Sequence, residues 1–437
     1  MELIERIREA GVVGAGGAGF PTDKKLDCRA DVFIVNGIEC EPLLRTDRHA
    51  MEQHAERIVR TAEVIRDHIG AKRAVIALKK HYKEAVAALT EQVKGTDVEL
   101  YLSDSFYPAG DEQNLVFCVA GKVVPTGGIP LDVGCVVSNV STILNIADAI
   151  EEKPVTDKLV TVAGSVVRPV TVSCPIGTPL SKLLEAAGGA VGDCRFIVGG
   201  PLMGAVTDDL SQPVTKTTGG LLAFPKDHMI LARKTFDPVR ETIMARAACS
   251  QCSFCTQLCP RNAMGLHVEP HKAMRALAAG KDLPAGDVNG IFSCCDCGLC
   301  TYYACNFGMK PGKAMQLLKA ALQKEEIRPV KEVRFSPEKG IGQKRVPTER
   351  LLQRLDLKRY DKDAPYAGSI DCDHVRIPLK MHIGNPDEPV VRVGMKVNKG
   401  EPIAKAKGMG AHIHASISGT ILEITDESIE IGADGQK

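Results

Sequence analysis

Nine of the sixteen cysteines fall between Cys249 and Cys305, and their spacing suits thiolates that hold iron and sulfide. The first run is Cys249-x2-Cys252-x2-Cys255-x3-Cys259 followed by Pro260; the second is Cys294-x2-Cys297-x2-Cys300-x4-Cys305. Three thiolates two residues apart can wrap one face of an iron–sulfur cube, and the fourth corner then needs a cysteine from elsewhere. In two-cluster domains the last cysteine of each run crosses to the other cluster. On that rule Cys249, Cys252, Cys255 and Cys305 hold one [4Fe-4S] cluster, Cys294, Cys297, Cys300 and Cys259 hold the second, and Cys295 is left over. Zinc would prefer two separated Cys-x2-Cys pairs closing a tetrahedron. Disulfides would need an oxidising compartment, which nothing in the N-terminus announces.

A second constellation lies near the start. Gly11, Gly14, Gly16, Gly17 and Gly19 form a dense glycine loop that ends in Phe20-Pro21-Thr22. Gly14-x-Gly16-x-x-Gly19 satisfies the dinucleotide fingerprint formally, but that fingerprint must follow a strand and open a helix. Here an amphipathic helix over 2–10 comes before it and Pro21 just after it. A loop without side chains still lets backbone N–H groups approach a phosphate or a flat ring. Next, the apolar run Val32-Phe33-Ile34-Val35 reads as a buried strand that delivers Asn36, Glu39 and Glu41 at its C-terminal end, where ligands collect in α/β folds.

Around these sites the pattern predicts helices over 48–69 and 81–94 and a strand over 73–78, an alternation that argues for an α/β domain. Residues 159–224 read as a β-rich unit with a helix opening near Leu180. In the cysteine-rich region helices are expected over Pro270–Ala279 and from Pro311, the latter with Met315, Leu318 and Leu322 inward. From Lys324 to Asp363 twelve Lys/Arg stand against eight Asp/Glu, which reads as a linker with one short helix near 348–357. The last stretch, 375–432, has short strands with regular glycine turns, as in a flattened β-sandwich.

Composition narrows the function. The 437 residues suffice for about three domains. With 55 basic and 54 acidic side chains the formal charge is +1, which leaves no electrostatic footprint for nucleic acid. No run of eighteen apolar residues occurs, so no transmembrane segment is expected, and the acidic start Met1-Glu2-Leu3-Ile4-Glu5 does not read as a secretory signal. A reduced cytoplasmic setting is the expectation.

The glycine loop with Lys25, the Asn36-x-x-Glu39-x-Glu41-Pro42 motif, Tyr107-Pro108-Ala109-Gly110-Asp111-Glu112 and Val137-Ser138-Asn139-Val140-Ser141-Thr142 together resemble the FMN site of the flavin-bearing subunit of respiratory complex I and of the RnfC family. The resemblance implies an FMN whose phosphate and ribityl chain lie against Gly14, Gly16, Gly17, Gly19, Asn139 and Thr142. Lys25, Asn36, Glu39 and Glu41 would surround the ring and the hydride donor NADH, with Gly110, Asp111 and Glu112 completing the pocket. This chain has Ala15 where the complex I loop has arginine, and Ile38 where it has aspartate. Residues 159–224 are similar to the SLBB module, a β-grasp fold. The C-terminal piece resembles the barrel-sandwich fold of biotinyl carriers, without their Met-Lys-Met signature at the tip Lys407-Gly408-Met409-Gly410.

The resulting order is an FMN/NADH α/β domain over 1–155, an SLBB domain over 156–235, a two-cluster ferredoxin-type helical domain over 240–324, a charged linker over 325–372 and a barrel-sandwich hybrid over 373–437. It resembles the cobalamin reductases of propanediol-utilization microcompartments. That family implies electron flow from NADH through FMN and two [4Fe-4S] clusters to a corrinoid, for reactivation by an adenosyltransferase inside a bacterial microcompartment with its shell proteins as neighbours. The alternative is an RnfC-like component of a larger, membrane-bound electron-transfer complex.

Overall fold

The computed structural model describes residues 2–280, 287–333 and 336–434. Four parallel strands build the first sheet, in the order Val98–Ser103, Arg73–Lys79, Val32–Gly37 and Cys135–Asn139. The two central strands are aliphatic and buried almost throughout because helices cover both faces. One cover is the helix Ala55–Ile69, which buries Ile58, Val59, Ala62, Ile65 and Ile69 at helical spacing and stops at Gly70 in the left-handed region. The helix expected over 48–69 is broken at His54, with a separate piece over Thr46–Gln53. The break turns the short helix so that Asp47 and Met51 are buried; a Cβ on Gly37 would meet the Met51 sulfur at 2.4 Å.

The chain runs outward from Val32–Gly37 to Val98–Ser103 and then returns to add Cys135–Asn139 on the other side. The sheet order therefore reverses between Val32–Gly37 and Cys135–Asn139, the place where open α/β sheets bind ligands.

A six-stranded sheet follows, ordered Tyr366–Ser369, Val170–Pro175, Asp157–Gly164, Gly220–Pro225, Cys194–Val198 and Ala205–Thr207. Its core joins Val160, Val162, Leu183 and Leu221. The helical domain packs Pro238–Ala248, Pro270–Ala279 and Pro311–Lys324, each opened by a proline at a first-turn position where no N–H is needed. Met315, Leu318 and Leu322 face inward, as their spacing predicts.

The charged 325–372 stretch does more than join its neighbours. Val346–Pro347 pairs with Phe106–Tyr107 of the first domain, and Tyr366–Ser369 forms the edge of the six-stranded sheet. Its helix Thr348–Arg354 holds Leu351 and Leu352 in a core shared with Leu43, Tyr107 and Leu299. Charges point outward and leucines inward.

The C-terminal piece forms two small antiparallel sheets and closes on the glycine loop at the other end of the chain. Ile383 N donates to Gly19 O at 3.1 Å. The buried Lys216 ammonium donates to Gly11 O and to His412 O, both at 2.7 Å. Gly11 has φ 68°, and a side chain there would strike His412 O, so glycine is required. This module lies beside the first helix, Leu3–Glu9, with His412 Nε2 3.7 Å from Glu9 Oε1.

Candidate functional site

The glycine loop is pinned at its base by a bridge between Val13 and Pro21 and by Gly14 N donating to Phe20 O at 3.0 Å. Its tip, Gly16 to Ala18, is exposed. The loop sits on the sheet reversal. Ala15 N donates to Thr142 Oγ1 at 2.9 Å, and a Cβ on Gly16 would meet the Asn139 amide at 2.9 Å, whereas one on Gly17 would meet nothing. Asn139 caps the helix Val140–Ile150, accepting from Ser141 N at 2.8 Å, and donates to Asp47 Oδ2 at 2.8 Å. Lys158 Nζ donates to Ala15 O at 3.1 Å, so a cation reaches the loop although Ala15 brings none. Burial pulls that ammonium down to about 8.

Opposite, Asn36 Nδ2 donates to Gly110 O at 3.0 Å, and a Cβ on Gly110 would meet Ile38 O at 2.3 Å. Lys25 and Glu112 form an ion pair of 2.8 Å. Glu39 is 6 % exposed; one oxygen accepts from Thr46 Oγ1 at 2.8 Å and Asp47 N at 3.3 Å, while Oε2 has no protein partner. Burial, then the neighbouring Asp47, pushes its carboxyl up to about 7. An orphaned buried oxygen, an exposed glycine backbone, a capped helix N-terminus and a buried ammonium fit a ligand with a phosphate and a polar ring. FMN is such a ligand.

Two residues expected at the flavin are engaged elsewhere. Glu41 accepts from Leu202 N at 2.8 Å, Met203 N at 3.1 Å and Tyr107 Oη at 3.3 Å, which ties the first domain to the β-grasp unit; burial raises its carboxyl. Asp111 caps the helix Glu112–Ala120 and takes a bidentate ion pair from Arg261, at 2.9 and 2.7 Å. Arg261 stands two residues after Cys259, and Tyr107 Oη donates to Cys297 O at 2.7 Å. The flavin-side wall is thus bonded directly to the Cys259/Cys297 set. Arg261, Lys158 and Lys216 escape sequence reasoning because their partners are remote in the chain or are backbone oxygens; the one signal was Arg261's place beside the Cys259-Pro260 pair.

The cysteines gather in two groups that cross between the runs. Cys259, Cys294, Cys297 and Cys300 line a cavity of about 470 Å³, with Cys295 beside them. Cys249, Cys252, Cys255 and Cys305 line a second, smaller hollow. Burial and the neighbouring thiols push Cys255 and Cys259 up to about 12; metal binding releases the protons of such thiols. Among the described residues no three His, Cys, Asp or Glu side chains converge closely enough for one ion. A cube presents four separate corners, and two four-thiol groups suit it. Cys295 hydrogen-bonds with Cys297 and lies near Arg261.

Four family models match. They are described as the Nuo51 FMN-binding domain over 7–148, the SLBB domain over 159–206, the 4Fe-4S dicluster domain over 248–310 and the RnfC barrel sandwich hybrid domain over 356–436. Two proteins named cobalamin reductase PduS are similar over nearly the whole chain. The one from Salmonella typhimurium is 39% identical over 98% of this chain and 96% of its own length. That from Citrobacter freundii is 39% identical over the same shares. A component of the proton-translocating ferredoxin:NAD(+) oxidoreductase complex of Clostridium ljungdahlii is 32% identical over 64% of this chain and 59% of its own.

Proposed function

The chain belongs to the family of the cobalamin reductase PduS, and from that premise we propose that it draws electron pairs from NADH and delivers single electrons to the cobalt of a corrinoid. The protein is an oxidoreductase with an FMN domain and a dicluster 4Fe-4S domain. When bound, FMN supplies the exchange between a hydride pair and single electrons, and the clusters carry the latter.

The residues divide that work. Gly14, Gly16, Gly17 and Gly19, with Asn139 and Thr142, hold the phosphate and ribityl chain through backbone N–H groups and the helix start at Val140. Lys25, Asn36, Gly110 and Glu112 bound the ring. Glu39 offers its unpartnered oxygen to NADH and keeps or loses a proton near neutrality. Glu41 and Asp111 act at the joint with the nearer cluster, which Cys259, Cys294, Cys297 and Cys300 hold; Cys249, Cys252, Cys255 and Cys305 hold the farther one. The observation that carries this reading is the direct joint itself, Tyr107 on Cys297 and Asp111 on Arg261.

The same reading puts the protein in the cytoplasm, inside a microcompartment whose shell proteins surround it, handing reduced corrinoid to an adenosyltransferase. No helix among the described residues is long and apolar enough to cross a membrane. Membership of a larger RnfC-like complex is the second reading; likeness to the Clostridium ljungdahlii component spans 64% of the chain against 98% for the reductases, which favours the first. Anaerobic protein reduced with NADH and mixed with hydroxocobalamin is expected to lose its cluster reduction as the corrinoid spectrum shifts. Clusters that stay reduced would rule out a corrinoid acceptor.

A further inference from the structure

The farther thiol group reaches solvent. Among the described residues Cys252 is the one exposed cysteine. The surface around it is apolar and basic. The helix Pro238–Ala248 runs into Cys249 and turns Val239 and Ile243 outward, 70 % and 59 % exposed. Phe307, 52 % exposed, lies in the same hollow as Cys252. Val239, Ile243 and Ala247 recur every four residues and so form one stripe, flanked by exposed Arg240 and Arg246. Arg275 reaches Gln251, beside Cys252, at 3.3 Å. From Pro238 to Cys252 the sole carboxylate is Glu241, which is buried in an ion pair with Lys310. Asp237, ahead of the helix, caps Val239 N and Arg240 N. An apolar stripe with a cationic rim beside a redox centre has the complement of an acidic protein surface.

We propose that this face is the electron exit, on which a one-electron acceptor protein with an acidic rim docks to be reduced by the cluster of Cys249, Cys252, Cys255 and Cys305. The claim rests on the reading of NADH-fed clusters given above. In the step the cluster loses one electron, the acceptor's metal gains it, and no bond forms or breaks; each NADH serves two such transfers.

The probe is cytochrome b5, an acidic haem protein, with basic cytochrome c as control. The full-length holoprotein is expected to bind immobilised cytochrome b5 more tightly than cytochrome c, with affinity falling as salt rises. Ile243→Glu and the double change Arg240→Glu with Arg246→Glu are each expected to weaken that binding and the NADH-driven reduction of cytochrome b5 about tenfold. Bleaching of the clusters by NADH and reduction of free hydroxocobalamin should stay unchanged. Equal binding of both cytochromes, or variants that behave as the parent, would overturn the proposal. So would a parallel loss of hydroxocobalamin reduction, which would make the small molecule the occupant, or a dimer-to-monomer change in light scattering, which would make a second copy the occupant. Clusters that NADH fails to bleach would sink the earlier reading instead, and the binding comparison would still decide the docking claim.

Discussion

The two cysteine runs differ by one residue in spacing, yet the groups they form sit in unlike surroundings. The group of Cys259, Cys294, Cys297 and Cys300 is bonded into the first domain, through Tyr107 to Cys297 O and through Asp111 to Arg261. The group of Cys249, Cys252, Cys255 and Cys305 has no such tie to the flavin side among the contacts described above, and one member lies exposed. Ligand spacing decides that two clusters can form, whereas the protein around each decides its neighbours. That difference gives the pair a direction, with one centre toward the flavin and the other toward solvent.

The harshest way to break this comparison is to remove one thiol from each group. Cys297→Ala and Cys255→Ala should each lower iron from about eight atoms per chain to about four. Only Cys297→Ala should leave the remaining cluster unreduced by NADH, seen in low-temperature EPR. Identical EPR behaviour of the two variants would remove the direction assigned here.

Next comes the joint. Arg261 and Asp111 are 8 % and 10 % exposed in their side chains, so Arg261→Leu leaves an uncompensated buried carboxylate and is expected to cost about 3 to 5 kcal/mol in denaturant unfolding. A loss below about 1 kcal/mol would mean that the pair is solvated and joins nothing.

Glu39 sharpens the flavin side. Its folded carboxyl stands at about 7 against an ordinary 4.5, so the unfolded chain gives up the proton first. The stability it contributes is present below about pH 4.5 and is lost as pH rises through about 7. Glu39→Gln should remove that part of the pH dependence of the thermal midpoint, while Asp47, also raised by burial, keeps its own contribution of the same sign. A Glu39→Gln profile parallel to the wild type between about pH 5 and about pH 7 would contradict it; the difference between the two isolates Glu39 from buried histidines such as His414, whose lowered value acts in the opposite sense. The smallest expected effect is Tyr107→Phe, which removes the buried hydroxyl shared by Cys297 O and Glu41 and is expected to cost about 1 to 2 kcal/mol. Slower cluster reduction with intact flavin reduction is its kinetic mark.

The sequence made some of this legible for physical reasons. Thiol spacing is a local constraint, so the crossed grouping could be read before any fold was known. Gly16, Gly110, Asn36, Asn139 and Thr142 lie near one another at the sheet reversal, because strand ends and tight turns dictate residue type. Glu41 was legible as a motif member but not in its contacts, since its partners are the backbone N–H groups of Leu202 and Met203, which any residue supplies. The 325–372 stretch read as a solvated linker because its charges outnumber its leucines; four buried leucines and two short strands suffice to strap it across two domains. The docking of the last module on Gly11 and Gly19 runs through carbonyl oxygens and left no sequence signal.

The most direct test of the central claim is an anaerobic titration with NADH, following flavin and cluster absorbance together. A chain holding one FMN and two [4Fe-4S] clusters has room for about four electrons, so both signals should bleach with an endpoint near two NADH. Flavin that bleaches at one NADH while the clusters keep their colour would contradict it.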